Sequence, residues 1–302
     1  VPEGTASVTI TAVAESENAT LEGDGEFTDI PGTAVITVTS MAGTVNEYNI
    51  VFQVEAPPTD ECITPGAGTI ELALAEAVDG DTLVLCNGET YQIVSPLIID
   101  KTIVIRAQTF PELPALNNMP LISNDFAINP VIQFADGGDL TLIGIDIDGQ
   151  GVSNIINPRA GGVGATVGME INRCRLHNTS SDLINSGDID QQTVLAKCII
   201  RNTFLYESGA GHGAYVRNYY GSNDPYVFED ITFWSLGQQF IWIRHYDVGD
   251  EQAWEFNHMT GYNLSTSVAD NKELFGNAPD FAFLNITFKN TILSEQVSPF
   301  ES

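Results

Sequence analysis

The sequence predicts an all-β protein in two parts, a small β-sandwich followed by a parallel β-solenoid. Three observations predict it. The composition favours strands and turns, because 27 Gly and 14 Pro but only four Lys stand in 302 residues. Residues 1–56 alternate apolar and polar side chains with period two. From about residue 62 onward a pattern recurs every 24–33 residues without helical spacing.

Charge narrows the function classes. Lys and Arg total 11 against 40 Asp and Glu, a net charge of −29, so nucleic acid is not an expected partner. Anionic membrane surfaces are disfavoured for the same reason. With 43% hydrophobic and 17% charged residues, this is a folding chain and not an acidic disordered one. No apolar run approaches the roughly 18 residues of a membrane span. No basic and apolar leader opens the chain, so the expectation is a secretion signal absent or already removed. The four cysteines, Cys62, Cys86, Cys174 and Cys198, lack CxxC spacing and argue against zinc. All four are disulfide candidates in an oxidising compartment, buried thiols being the alternative.

In the first part, Val8–Val13, Ala34–Thr39 and Tyr48–Val54 read as antiparallel strands with one buried face. Glu22–Glu26 and Ala42–Thr44 are turn signals between them. The segments Val1-Pro2-Glu3-Gly4-Thr5, Glu17-Asn18-Ala19-Thr20 and Ala42-Gly43-Thr44 with Tyr48-Asn49-Ile50 resemble the bacterial cadherin-like β-sandwich domain. The resemblance implies an add-on module of secreted or surface proteins. Members usually carry one or two strands before the Val-Pro-Glu-Gly-Thr segment, and this chain starts at it. The expectation is a sandwich lacking its first strand or strands, with unpaired edge groups. The chain is then a fragment, or the strand comes from another chain or its own C-terminus.

Residues 57–61, opening on Pro57-Pro58, read as a short stiff linker to a solenoid over 62–302. Aligned copies begin at Ile171, Leu195, Phe228, Phe256 and Phe283, offset by 24, 33, 28 and 27. This alignment stacks Cys174 on Cys198. It also makes a column of Asn178, Asn202, Ser235, Asn263 and Asn290 at a turn, where Asn tolerates left-handed backbone. Asn185, Arg217 and Arg244 form a second column. Some 240 residues at about 27 per coil give about nine coils, a rod on the order of 45 Å long. Asn18, Asn178, Asn263 and Asn285 lie in N-x-[ST] sequons, three of which coincide with the repeat.

Gly68–Ala77 reads as a short amphipathic helix, followed by Asp79-Gly80-Asp81-Thr82-Leu83-Val84-Leu85, Asn87–Tyr91 and Lys101–Ala107. This stretch resembles the N-terminal cap and first coils of right-handed parallel β-helix proteins related to chondroitinase B and alginate lyases. It implies a helix capping the open end of the core. It also implies uronate chemistry: a Lys base removes the proton alpha to a carboxylate, an Arg on a neighbouring coil assists, and Ca2+ neutralises the acid. Tyr215-Val216-Arg217-Asn218-Tyr219 is similar to the Arg coil. The preceding coil, Ser181–Asp188, has acids but no Lys, and Lys197 precedes Cys198 on a different strand. The Arg carries over and the base does not, so the sequence leans away from lyase activity.

Arg217 and Arg244 with Tyr215, Tyr219, Tyr220, Trp242 and Tyr246 are candidates for a sugar-binding groove, against a solvated Arg stack paired with carboxylates. His212, in Gly209-Ala210-Gly211-His212-Gly213, is a candidate base without an identified partner. No cofactor is implied beyond Ca2+, for which Asp146 and Asp148, near Asp136 and Asp139, are candidate ligands. Two readings follow. The first is a secreted or cell-surface structural or adhesive protein, a filament subunit assembled with copies of itself by strand complementation or through an open solenoid end. The second is a polysaccharide lyase or a non-catalytic glycan-binding β-helix. The incomplete catalytic set favours the first.

Overall fold

The computed structural model describes the backbone of residues 7–14, 16–28, 32–52, 61–111, 117–125, 127–160, 164–185, 193–217, 225–237, 240–244, 252–264, 273–277, 284–289, 292–293 and 298–300. Side chains within these ranges are described up to 214, then over 225–237, 240–241 and 253–261. The chain divides into two units, Val1–Thr59 and Asp60–Ser302.

The first unit is a small sandwich. Strands β1 (Val8–Ile10) and β3 (Gly25–Phe27) form one antiparallel pair. Strands β2 (Thr20–Glu22), β4 (Gly32–Thr39) and β5 (Val45–Phe52) form a second antiparallel sheet in the order β2-β4-β5. The sheets meet through Phe27 and Phe52, whose ring centroids lie 6.0 Å apart. Among the described residues, Ala34, Ile36 and Phe52 are its buried apolar residues, a thin core for two sheets. Gly23 has φ 91, and a Cβ there would stand 2.1 Å from the Val35 carbonyl oxygen, so this turn requires glycine.

The second unit opens with helix α1 (Thr69–Glu76), which turns Ile70 and Leu74 into the core. Lys101 Nζ donates to the carbonyls of Leu74 and Ala77 at 3.3 and 3.1 Å, satisfying acceptors at the helix C-terminus. Glu71 accepts from the Val94 and Ser95 amides and ties the helix to the first coil. Beyond it lies a parallel β-solenoid whose three faces are each an eight-stranded sheet among the described residues. The first face runs from Asp81–Leu85 through Thr102–Ala107, Asp139–Ile143, Thr166–Asn172, Val194–Arg201, Tyr226–Glu229 and Gln252–Asn257 to Leu284–Lys289. The second includes Asp146–Asp148, Arg175–Thr179, Phe204–Ser208 and Thr232–Leu236. The third includes Ile156–Asn157, Ile184–Asn185, Ala214–Arg217 and Ile241–Arg244. Among the described residues eight coils stand where about nine were expected, since the start of this unit is spent on the helix.

Each coil hydrogen-bonds to the next in fixed register, so inward residues stack in columns. Ile105, Leu142, Ile171, Ile200, Phe228, Phe256 and Phe288 form one unbroken column by register on the first face. Early coils fill the interior mostly with Ile and Leu, with Tyr91 and Phe134 among them. Later coils fill it with Tyr226, Phe228, Phe233, Phe240, Trp254 and Phe256, all buried. Phe228 packs on Phe256 at 5.1 Å between centroids.

This register corrects the repeat alignment. Ile171, Phe228 and Phe256 are equivalent as expected, but their partners are Ile200 and Phe288, not Leu195 and Phe283. Both expected copies start five residues early, and the first of them also contains a β-bulge. Val167 pairs with Leu195 and Gly168 with Lys197, leaving Ala196 as the extra residue. The bulge lets both Leu195 and Ile200 point inward across an odd spacing, which hides the slip from a period-two reading.

The cysteines follow from the same correction. Cys62 and Cys86 form a disulfide with Cα atoms 5.1 Å apart. Cys174 and Cys198 are free and buried, contrary to their candidacy as a disulfide. Cys198 registers with Met169, whereas Cys174 lies beyond the first-face strand, beside Thr203 of the next coil. The turn column also divides. Asn178, Asn202 and Ser235 do have positive φ, at 62, 50 and 51. Asn178 and Ser235 share the bend inside the second-face strands with Glu207. Asn202 instead belongs with Gly144, Arg173, Asp230 and His258 at the bend between the first and second faces. Asn290 lies outside the described residues.

Truncating Phe228 to Ala removes a ring that touches the coil above. We expect a loss of about 3–5 kcal/mol in denaturant unfolding. Burial pushes the Cys174 and Cys198 thiols up to about 12. Ellman's reagent should therefore leave both untouched in the native chain and titrate both after unfolding. Because the native values lie above the usual 9, these thiols stabilise fully below pH 9, and that contribution is lost as pH rises toward 12. Alkaline unfolding curves of the chain and its Cys198→Ala variant measure it.

Candidate functional site

The third face carries Tyr215, Arg217, Trp242 and Arg244, four of the residues singled out for glycan binding. Its strands alternate, so residues two apart lie on the same side. Ala214 and Ile241 are buried in the core and open their strands. Tyr215 stands in register with Trp242, and Arg217 with Arg244. The expected column of Asn185, Arg217 and Arg244 holds only for the two Arg, because Asn185 stands in register with Tyr215, two residues before Arg217. The sequence therefore places two cationic and two aromatic residues on neighbouring coils, one strand spacing of about 4.8 Å apart. Tyr219, Tyr220 and Tyr246 lie outside the described residues.

The coil before Arg217 is organised by Asp182. This buried carboxylate accepts from the His212 backbone amide and ring Nδ1, each at 2.7 Å. Its other oxygen accepts from Asn185 Nδ2 and from the Ser181 hydroxyl. His212 thus has the partner that the sequence did not reveal, one coil away. A Cβ on Gly211 would fall 2.3 Å from the Ser181 carbonyl carbon, so this turn approaches its neighbour closely. The cluster clamps the turns entering two third-face strands, and with His212 only 8% exposed it is a positioning element.

The Lys base that the resemblance implies does not come to this face among the described residues. Lys101 serves the helix. Lys197 bonds Asp139 at 2.7 Å on the first face. That contact spans an intervening coil, because the residue between them in register is Gly168, where a Cβ would meet the Asp139 carboxylate at 3.0 Å. Lys289 registers with Asn257, also on the first face, and Lys272 lies outside the described residues. The described residues do not fit a Ca2+ site either. No group of three or more His, Cys, Asp or Glu among them converges, and Asp182 is already occupied by donors. Asp188 lies outside the described residues.

Asp146 and Asp148 project from the second face into a different arrangement. Asp146 takes His177 Nε2 at 3.0 Å and Arg175 at 3.6 Å. Asp148 accepts from Gln150 and, at 2.7 Å, from Asn178 Nδ2. Asp136 accepts the Thr166 amide of the next coil. These carboxylates join neighbouring coils.

Sequence reasoning missed the ring column beside them. His177 stacks on Tyr206 at 4.7 Å, and Tyr206 on Trp234 at 4.2 Å, with interplanar angles of 3° and 7°. Arg175 lies over Phe204, whose edge meets Trp234. The rings cover one another's faces, so the column ties coils together more than it offers stacking surface. Its signal was spacing: 206 − 177 is 29 and 234 − 206 is 28, the true coil lengths here.

No family model matches the chain, and no curated protein matches it. Among solved structures, an arginine-to-alanine mutant of the PL6 family alginate lyase AlyGC aligns with a TM-score of 0.50 at 15% identity, covering 86% of this chain and 44% of that one. The structure of AlyGC itself aligns with a TM-score of 0.36 at 15% identity, covering 85% of this chain and 47% of that one. This chain spans less than half the length of the lyase chains it matches. The likeness establishes the parallel β-solenoid fold. No helix among the described residues is long and apolar enough to cross a membrane.

Burial, reinforced by the Asp146 carboxylate, pushes the Tyr206 phenol up to about 12. Ultraviolet titration should lose one late-ionising phenol in Tyr206→Phe. Asp146→Asn should shift that ionisation downward, since it removes a negative charge that opposes phenolate.

Proposed function

We propose that this chain is a glycan-directed β-solenoid that recognises a uronate-bearing polysaccharide along its third face. The observation that carries this reading is the register of Arg217 with Arg244 beside Tyr215 with Trp242. Paired guanidinium groups suit carboxylates, which they engage through bidentate charge-assisted hydrogen bonds. Aromatic side chains at the same level supply flat apolar surface for pyranose rings. The fold shared with an alginate lyase supports a polysaccharide over an adhesive filament as the role of the solenoid. The Cys62–Cys86 disulfide supports a secreted or cell-surface location.

Binding is favoured over elimination because no described Lys stands on this face, and His212 is held in a turn by Asp182. The net charge of −29 repels a polyanion at long range, while the two Arg act at short range. Raising salt from a low concentration should therefore speed association with polyuronate.

Calorimetry of the full chain with alginate, and with a neutral glucan as control, tests the reading. Arg217→Ala and Arg244→Ala should each weaken alginate binding about tenfold or more, the scale of a lost charged hydrogen bond. Unchanged binding in both variants would remove the third face from consideration. Ultraviolet absorbance of unsaturated uronate in the same mixtures reads elimination, and its appearance would replace binding with lyase activity.

A further inference from the structure

The first unit leaves one strand exposed. Strand β5 pairs with β4 alone among the described residues, so one edge of its eight residues faces outward. An edge of this length is ordinarily shielded by charge, proline or a covering element. Here it carries Val45, Tyr48, Ile50 and Val51 at 54, 57, 37 and 60% exposure, and Glu47 as its one charge.

The register shows what is lacking. Ile50 lies opposite Ala34 and Tyr48 opposite Ile36, and both β4 residues are buried. The inward side of β4 is therefore covered, while the same side of β5 is covered at Phe52 and open at Tyr48 and Ile50. The facing sheet has only β1 and β3 among the described residues. A further extended segment at β5 would complete the hydrogen-bond ladder and cover the Tyr48 and Ile50 side chains.

Charge selects among occupants. Residues 1–59 hold nine Asp and Glu and no Lys or Arg. A second copy of this chain would bring the same unrelieved negative charge, on a molecule carrying −29 in all. An acidic segment would be opposed in the same way, and a basic one attracted. We propose that the β5 edge is an acceptor for an extended strand of another protein, with alternating apolar residues and Lys or Arg between them. Backbone pairing supplies affinity, alternate apolar residues fill the Tyr48–Ile50 side, and the basic residues supply selectivity.

Hydrogen exchange of the full chain tests this with synthetic peptides. The probes are a short peptide alternating Val and Lys, its Val and Glu counterpart, and a block peptide of the first composition. The alternating Val and Lys peptide should slow exchange of the Val45–Phe52 amides roughly tenfold, and the effect should fall with salt. The other two should leave these amides unchanged. Tyr48→Lys, at an exposed position, should abolish the protection without altering the rest of the exchange map. Equal protection by the block peptide, or none by the alternating one, would overturn the proposal. So would concentration-dependent protection of β5 without peptide, which would make the occupant a second copy.

Discussion

Everything in the solenoid depends on the hydrogen-bond register between successive coils. A parallel ladder fixes each residue above its equivalent, one strand spacing away. Once Ile105 lies beneath Leu142, and Leu142 beneath Ile171, the inward side of every later strand is set. The polar outside inherits the same order. Asn202 donates to Asn172, Arg201 and Asn257 both reach Glu229, and His177, Tyr206 and Trp234 stack. Such contacts are worth little singly on a surface. They gain from columns that already hold their partners at contact distance, so little further ordering is needed.

Register also explains which parts were legible in the sequence. The capping helix was, because Ile70 and Leu74 are four apart and face one side. The left-handed bends at Asn178 and Asn202 were, because Asn tolerates that geometry, and Ser235 shares the bend of Asn178 by register. The coil register was not legible: the apparent copies at Leu195 and Phe283 start five residues before the true equivalents Ile200 and Phe288, and the bulge at Ala196 lets Leu195 and Ile200 both point inward. From that five-residue slip came the false Cys174–Cys198 stack, since Cys198 registers with Met169. The Asp182–His212 contact was not legible at all, since it joins turns thirty residues apart that carry no periodic signal.

The candidate site is less complete than the fold. Register brings Arg217 to Arg244, as the sequence aligned them, and Tyr215 to Trp242, while Asn185 falls out of that column. The chemistry expected from lyase resemblance separates in space, because Lys197 and the Arg pair occupy different faces. The recognition role proposed for the third face rests on this register alone. The sandwich is acidic, and its open strand lies in the first unit, so the two binding surfaces proposed here stand on independent observations.

Cysteine cross-linking tests the register most directly. Adjacent parallel strands hold equivalent Cα atoms within the roughly 4.4–6.8 Å that a disulfide spans. Arg217→Cys with Arg244→Cys should cross-link readily under mild oxidation in the folded chain. Arg217→Cys with Ile243→Cys, one position out of register, should not. Cross-linking of the second pair in preference to the first would shift the third face by one residue, separate the two Arg, and contradict the account of the site.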